Sequence, residues 1–147
     1  MPNKTVEQLA NDFIRLMPMI RKNFFKPFDK TAKATLSPMQ VQILFFLKGK
    51  EALPMSEIAA KMNVLKQQLT FLTDKLAENN FIERVHDQKD RRSVKISITQ
   101  DGIEFLAELH QQMLEILTSK FEQLADEDIN ELQAAIRSMF KVLSRLN

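Results

Sequence analysis

Apolar residues recur along this chain first at helical spacing, then at alternate positions, then again at helical spacing. Val6, Leu9, Phe13, Leu16 and Ile20 follow one helix face, and Pro18 and Pro27 are expected to bend or end that helix. Ser37-Pro38-Met39-Gln40 joins a capping hydroxyl, a proline at the first helical position and a glutamine three residues after the cap, so a helix should start there. Its continuation, Val41, Ile43, Leu44, Phe45, Phe46 and Leu47, is apolar nearly all round and reads as the central core helix, ending near Gly49. After Pro54, MSEIAAKM is a short helix with Glu57 near its positive end and Ile58, Ala59 and Met62 inward, and Asn63-Val64 is the turn. Leu65, Leu69, Leu72 and Leu76 then predict one buried stripe on a helix over residues 65–78, closed by Asn79-Asn80, where Asn80 suits the left-handed conformation.

The period next changes to two. Phe81, Ile82 and Val85 lead into HDQKDRRS, after which Val94, Ile96 and Ile98 alternate with Lys95, Ser97 and Thr99, as in two antiparallel strands around a polar loop. Thr99 is placed to cap a long helix carrying Ile103, Phe105, Leu106, Leu109, Met113, Leu114, Leu117, Phe121 and Leu124. A last helix over about residues 127–146 carries Ile129, Leu132, Ile136, Met139, Phe140, Leu143 and Leu146, a large apolar load that calls for a partner, expected to be a second subunit.

Composition narrows the chemistry. The chain has 147 residues, 44% apolar and 27% charged, enough for one globular unit with a core. It has no cysteine, which excludes disulfides, thiolate metal sites and thiol nucleophiles. No apolar run approaches the roughly 20 residues needed to span a bilayer, and the polar start is unlike a signal peptide, so a cytoplasmic protein with no membrane partner is expected. The formal net charge of +2 conceals an asymmetry: residues 61–95 carry eight Lys/Arg against five Asp/Glu, and residues 101–147 four against nine. A basic middle suits phosphate, as it also suits an ordinary solvated surface.

Two short helices joined by a tight turn and followed at once by a basic hairpin form a winged helix-turn-helix arrangement, whose second helix is the one that lies in the major groove of DNA. The fold class is therefore mainly α with a small β-hairpin wing. With the leucines turned inward, Lys66, Gln67, Gln68, Thr70, Phe71 and Lys75, with Asp74, occupy the outward side. Glutamine pairs with adenine through two bonds, lysine reaches guanine or phosphate, and threonine or phenylalanine touches a thymine methyl, which makes Gln67, Thr70 and Phe71 the best base readers. The same positions also suit a solvated helix face, and Phe71 also suits packing against a neighbouring loop.

At LSPMQVQILFFL, MSEIAAKMNV, LTFLTDKLAENNFIERV and DQKDRRSVKISITQDG the chain resembles the MarR family of regulators over nearly its whole length. The most specific element is the wing, where Asp90-Arg91-Arg92, the strand to Thr99 and then Gly102 match the family's Asp-x-Arg pattern. The resemblance implies that Arg92 reaches the minor groove, with Arg91 beside it, and that Asp90 holds the wing in shape; an arginine there meets enhanced negative potential. Leu65, Phe71 and Asn80 depart from the family's habits, which bears on the operator sequence and not on the fold.

The resemblance further implies a homodimer built from its N- and C-terminal helices (1–34 and 101–147) around a DNA-binding domain over 35–100. Such a dimer would address a palindromic operator with half-sites roughly 10 base pairs apart. It also implies a repressor released by a small aromatic or phenolic effector, for which Phe24, Phe25, Phe28, Met39, Ile43 and Phe105 are the candidate lining, although the same residues also read as core. No cofactor or metal is expected: His86 and His110 stand apart, and there is no Gly-rich phosphate loop or ligand cluster, which also argues against an enzyme. The rival reading is a winged-helix module that binds protein through its acidic tail and apolar last helix.

Overall fold

A computed structural model of the chain describes residues 3–26, 36–86, 88–90 and 92–146. It divides into two compact units, Asp29–Gln111 and the pair of segments Met1–Phe28 and Gln112–Asn147.

The first of these units opens at Ser37, whose Oγ accepts from the Gln40 amide at 3.3 Å while the Gln40 side chain accepts from the Ser37 amide at 2.8 Å. This reciprocal cap starts α2 (Pro38–Leu47), which follows helix α1 (Lys4–Ile20) of the other unit in chain order. Ile43, Leu44 and Leu47 are fully buried, and Gly49 takes a positive φ of 75° beyond the helix end. A two-residue strand β1 (Leu53–Pro54) follows, then α3 (Met55–Met62) and α4 (Lys66–Glu78), then β2 (Ile82–His86) and β3 (Val94–Ile98). The sheet is antiparallel in the order β1-β3-β2, with Ile82 opposite Ile98 and Arg84 opposite Ile96. Alternation predicts the two long strands; β1 is too short to alternate and shows only through its pairing with Ile96 and Lys95.

Ile43, Leu44, Leu47, Ile58, Leu69, Leu76, Ile82, Ile96 and Leu106 form one buried cluster beneath α4 and the sheet. Each such side chain contributes about 1.5–3 kcal/mol on leaving water. Gln40 is the polar member that ties this core to α4: 3% exposed, it donates from Nε2 to the Leu72 carbonyl at 3.2 Å. The wing is fastened to the start of α5 (Gln100–Phe121). Thr99 Oγ1 donates to the Asn80 carbonyl at 2.6 Å and accepts from the Gly102 amide at 3.0 Å, and Asn80, with φ 60°, donates to Asp101 at 2.8 Å.

In the second unit, α1 (Lys4–Ile20) is capped by Asn3, whose side chain accepts from Thr5 at 3.1 Å. Pro18 sits inside the helix and withdraws one donor from its ladder, and the helix then loosens into a π-helical turn over Arg21–Phe25. The Phe24 ring lies 5.5 Å from that of Phe121. Helix α6 (Asp126–Leu143) begins with Asp126, Glu127 and Asp128, favourably at its positive end. No described residue of α1 or α6 is buried.

Candidate nucleic-acid interface

The turn between α3 and α4 is set by Asn63, left-handed at φ 53°, with the Val64 amide donating back to Ala59 at 3.1 Å. Helix α4 then starts from Leu65. The Leu65 amide donates to Gln68 Oε1 at 3.1 Å, half of a reciprocal cap; leucine has no oxygen with which to supply the other half. Contrary to the stripe expected from spacing, Leu65 is 70% exposed. It stands in extended backbone before the first helical residue, so its side chain leaves the face that Leu69 and Leu76 define. Thr73 joins that buried face instead, its hydroxyl donating to the Leu69 carbonyl at 2.8 Å.

On the outward side Lys66, Gln67, Gln68, Thr70, Phe71, Asp74 and Lys75 are all exposed. Gln68 has its carbonyl engaged at the Leu65 amide, and Thr70 Oγ1 donates to the Lys66 carbonyl at 3.0 Å, leaving its methyl and lone pairs outward. Gln67 has no such engagement among the contacts of the described residues and lies one turn before Phe71, which is 76% exposed. An open groove of about 460 Å³ runs beside them, lined by Met39, Val64, Gln67, Gln68, Phe71 and Leu72.

In the wing, Asp90 accepts the Arg92 backbone amide at 3.0 Å, and its carbonyl accepts the Ser93 amide at 3.0 Å. The carboxylate thus shapes the turn that presents Arg92, through main chain and not through the guanidinium. Arg91 lies outside the described residues. Exposed Arg92 lines a second cavity of about 330 Å³ with Met55, Lys66, Thr70, Asp74, Arg84 and Val94, so that the wing and α4 share one groove carrying three cations. Arg84 is the member that the sequence reading passed over. It forms an ion pair with Asp74 and approaches Thr73 Oγ1 at 3.4 Å. The period of β2 held the signal, since Arg84 is two residues from buried Ile82 and shares its side of the strand.

The candidate ligand-lining residues fall in different settings. Phe24 meets the Phe121 ring at a tilt of 54°, Phe25 is about half exposed, and both belong to the unit containing α1 and α6. In the other unit Ile43 is sealed in the core, Phe105 lies 4.6 Å from the Phe81 ring, and Met39 lines the groove on α4. Phe28 lies outside the described residues. Among the described residues there is no cluster of His, Asp and Glu able to hold a metal ion, and no helix long and apolar enough to cross a membrane.

Residues 36–94, which contain α2, α3, α4 and the wing, match the model of the MarR family. The HTH-type transcriptional repressor MdtR of Bacillus subtilis is 33% identical over 100 residues, covering 67% of this chain and 64% of MdtR, so the matched region is less than two thirds of that relative's length. The crystal structure of the YusO protein from Bacillus subtilis superposes with a TM-score of 0.68 at 26% identity, over 100% of this chain and 99% of that one. A mutant of S. aureus MepR bound to an oligodeoxyribonucleotide shares the fold, with a TM-score of 0.68 at 21% identity over 89% of this chain and 97% of that one.

Proposed function

Because this chain belongs to the MarR family, we propose that it is a homodimeric, sequence-specific DNA-binding regulator of transcription, acting as a repressor. The observation that carries the reading is the groove in which Lys66, Thr70, Arg84 and Arg92 converge between α4 and the wing. Helix α4 has 13 residues, about 20 Å of length, and presents Gln67, Thr70 and Phe71 outward, in keeping with a major groove about 12 Å wide. Arg92, on a turn shaped by Asp90, then lies to one side of that helix, suited to phosphate or the adjoining minor groove.

Two copies are supported by the helices of the other unit. Val6, Leu9, Phe13, Ile129, Leu132, Ile136 and Phe140 are all at least 36% exposed, an apolar display that a second subunit would cover. A two-fold axis through such an interface calls for a palindromic operator. Repression rests on the names of the relatives. Release by a small aromatic or phenolic ligand at the expected lining would require Ile43 and Phe105 to leave the packing they now occupy.

The test is selection of duplexes by the full-length protein from a random-sequence pool, followed by titration with the Arg92→Glu variant. Affinity should fall by about tenfold or more, with dimerisation and thermal stability unchanged. A variant that binds as the parent does removes Arg92 from the interface. If no duplex is enriched even at low salt, the DNA-binding reading fails and the result favours the rival winged-helix module that binds protein.

A further inference from the structure

Resting on the DNA-binding reading, we propose that Phe71 and Leu65 read the methyl groups of thymine in the major groove, so that each half-site carries thymines facing these two side chains. Phe71 lies on, and Leu65 just before, a helix face otherwise built from Lys66, Gln67, Gln68, Thr70, Asp74 and Lys75, and these two large apolar residues are 76% and 70% exposed. Each breaks a local rule without a gain inside the subunit. Phe71 turns its ring to water, and Leu65 holds the position where a side-chain oxygen ordinarily caps the helix. Such departures mark positions that serve something outside the fold.

The base edges in the major groove offer one apolar group, the C5-methyl of thymine. A G·C pair in the same place would have its amino group or carbonyl covered by hydrocarbon, with no partner in exchange for lost water. Phe71 lines an open groove beside α4 together with Met39, Val64 and Leu72, so the surface around its ring is itself largely apolar. Gln67, one turn earlier, suits adenine, and the two together favour A·T pairs at adjacent steps. Leu65 stands at the N-terminal end of α4, the end from which recognition helices contact bases. Lys66 follows Leu65 in the chain and, with Arg84 and Arg92, lines the neighbouring groove between α4 and the wing, where Asp74 is the one carboxylate among the described lining residues and is paired with Arg84; this excess of cations beside the same helix makes nucleic acid the occupant that fits the surface, since an apolar protein partner would have to bury them.

The test uses the full-length protein and the strongest duplex from the selection above. Thymines of one half-site are replaced singly by deoxyuridine, which removes only the methyl group. At the thymines read by Phe71 and Leu65, the parent should lose about fourfold in affinity per methyl, the change expected for one buried methyl-sized group. Phe71→Ala and Leu65→Ala should each make one of those positions indifferent to the exchange, while the salt dependence of binding stays as in the parent. If the parent binds duplexes with and without the methyls equally, yet still depends on Arg92, the proposal fails and the DNA-binding reading stands. If no duplex is bound at all, both fail together.

Discussion

The guanidinium of Arg84, on strand β2, is paired with the carboxylate of Asp74, on helix α4, so that an ion pair links the wing to the helix it flanks. The two side chains are 37% and 52% exposed, and water screens the pair. Arg84→Ala should therefore change folding stability by less than about 1 kcal/mol. It should nonetheless weaken DNA binding and lower the slope of log affinity against log salt by about one phosphate's worth. Chemical denaturation and a salt titration separate these effects; an unchanged slope would place Arg84 outside the interface.

Gly102 marks a second constraint. A Cβ there would lie 2.4 Å from the Phe81 carbonyl oxygen and 2.7 Å from Ile98 Cγ1. Alanine in a helix ordinarily gains about 1 kcal/mol over glycine. Here the crowded atom is backbone at Phe81, just before β2, so Gly102→Ala should instead destabilise by about 1–3 kcal/mol. A urea midpoint at or above that of the parent would contradict this packing.

Gln40 makes two hydrogen bonds through its side chain, accepting from the Ser37 amide and donating to the Leu72 carbonyl, at 3% exposure. Gln40→Ala leaves both groups without that partner and should cost about 1–3 kcal/mol. Because one bond ends on α4, amide hydrogen exchange should quicken in α4 as well as in the first turn of α2. Protection that changes in α2 alone would show that the Leu72 bond does not brace α4.

The dimer proposal is tested on α6. Leu132 and Ile136 are one turn apart and 36% and 40% exposed, so charge there finds room in a monomer but not in a covered apolar interface. The double substitution Leu132→Glu with Ile136→Glu should give monomers in sedimentation and reduce operator affinity by at least about tenfold, since half-sites would then be bound one at a time. Unaltered sedimentation would move the interface away from α6.

Much of the architecture was legible because its determinants are local. Ser37 and Gln40 cap α2 across three residues, Asn63 and Asn80 take the left-handed turns, and Thr99 caps α5. Periods of 3.6 and 2 mark where helices give way to the wing. What misled was spacing extended one residue too far: Leu65 keeps the offset of the stripe, yet stands in the extended cap and is therefore outside it.

The sequence by itself thus determined the order of the α-helices and of the two long strands, the turn between α3 and α4, and the basic hairpin, since each follows from interactions within a few residues. Only the tertiary structure decided that Arg84 pairs with Asp74, that Gln40 braces Leu72, that Asp90 grips the Arg92 amide rather than its guanidinium, and that Leu53 and Pro54 add an edge to the sheet. With the exception of the Asp90 turn, these contacts join residues on different elements, and even there the choice between amide and guanidinium is made by loop geometry. No periodicity records such choices.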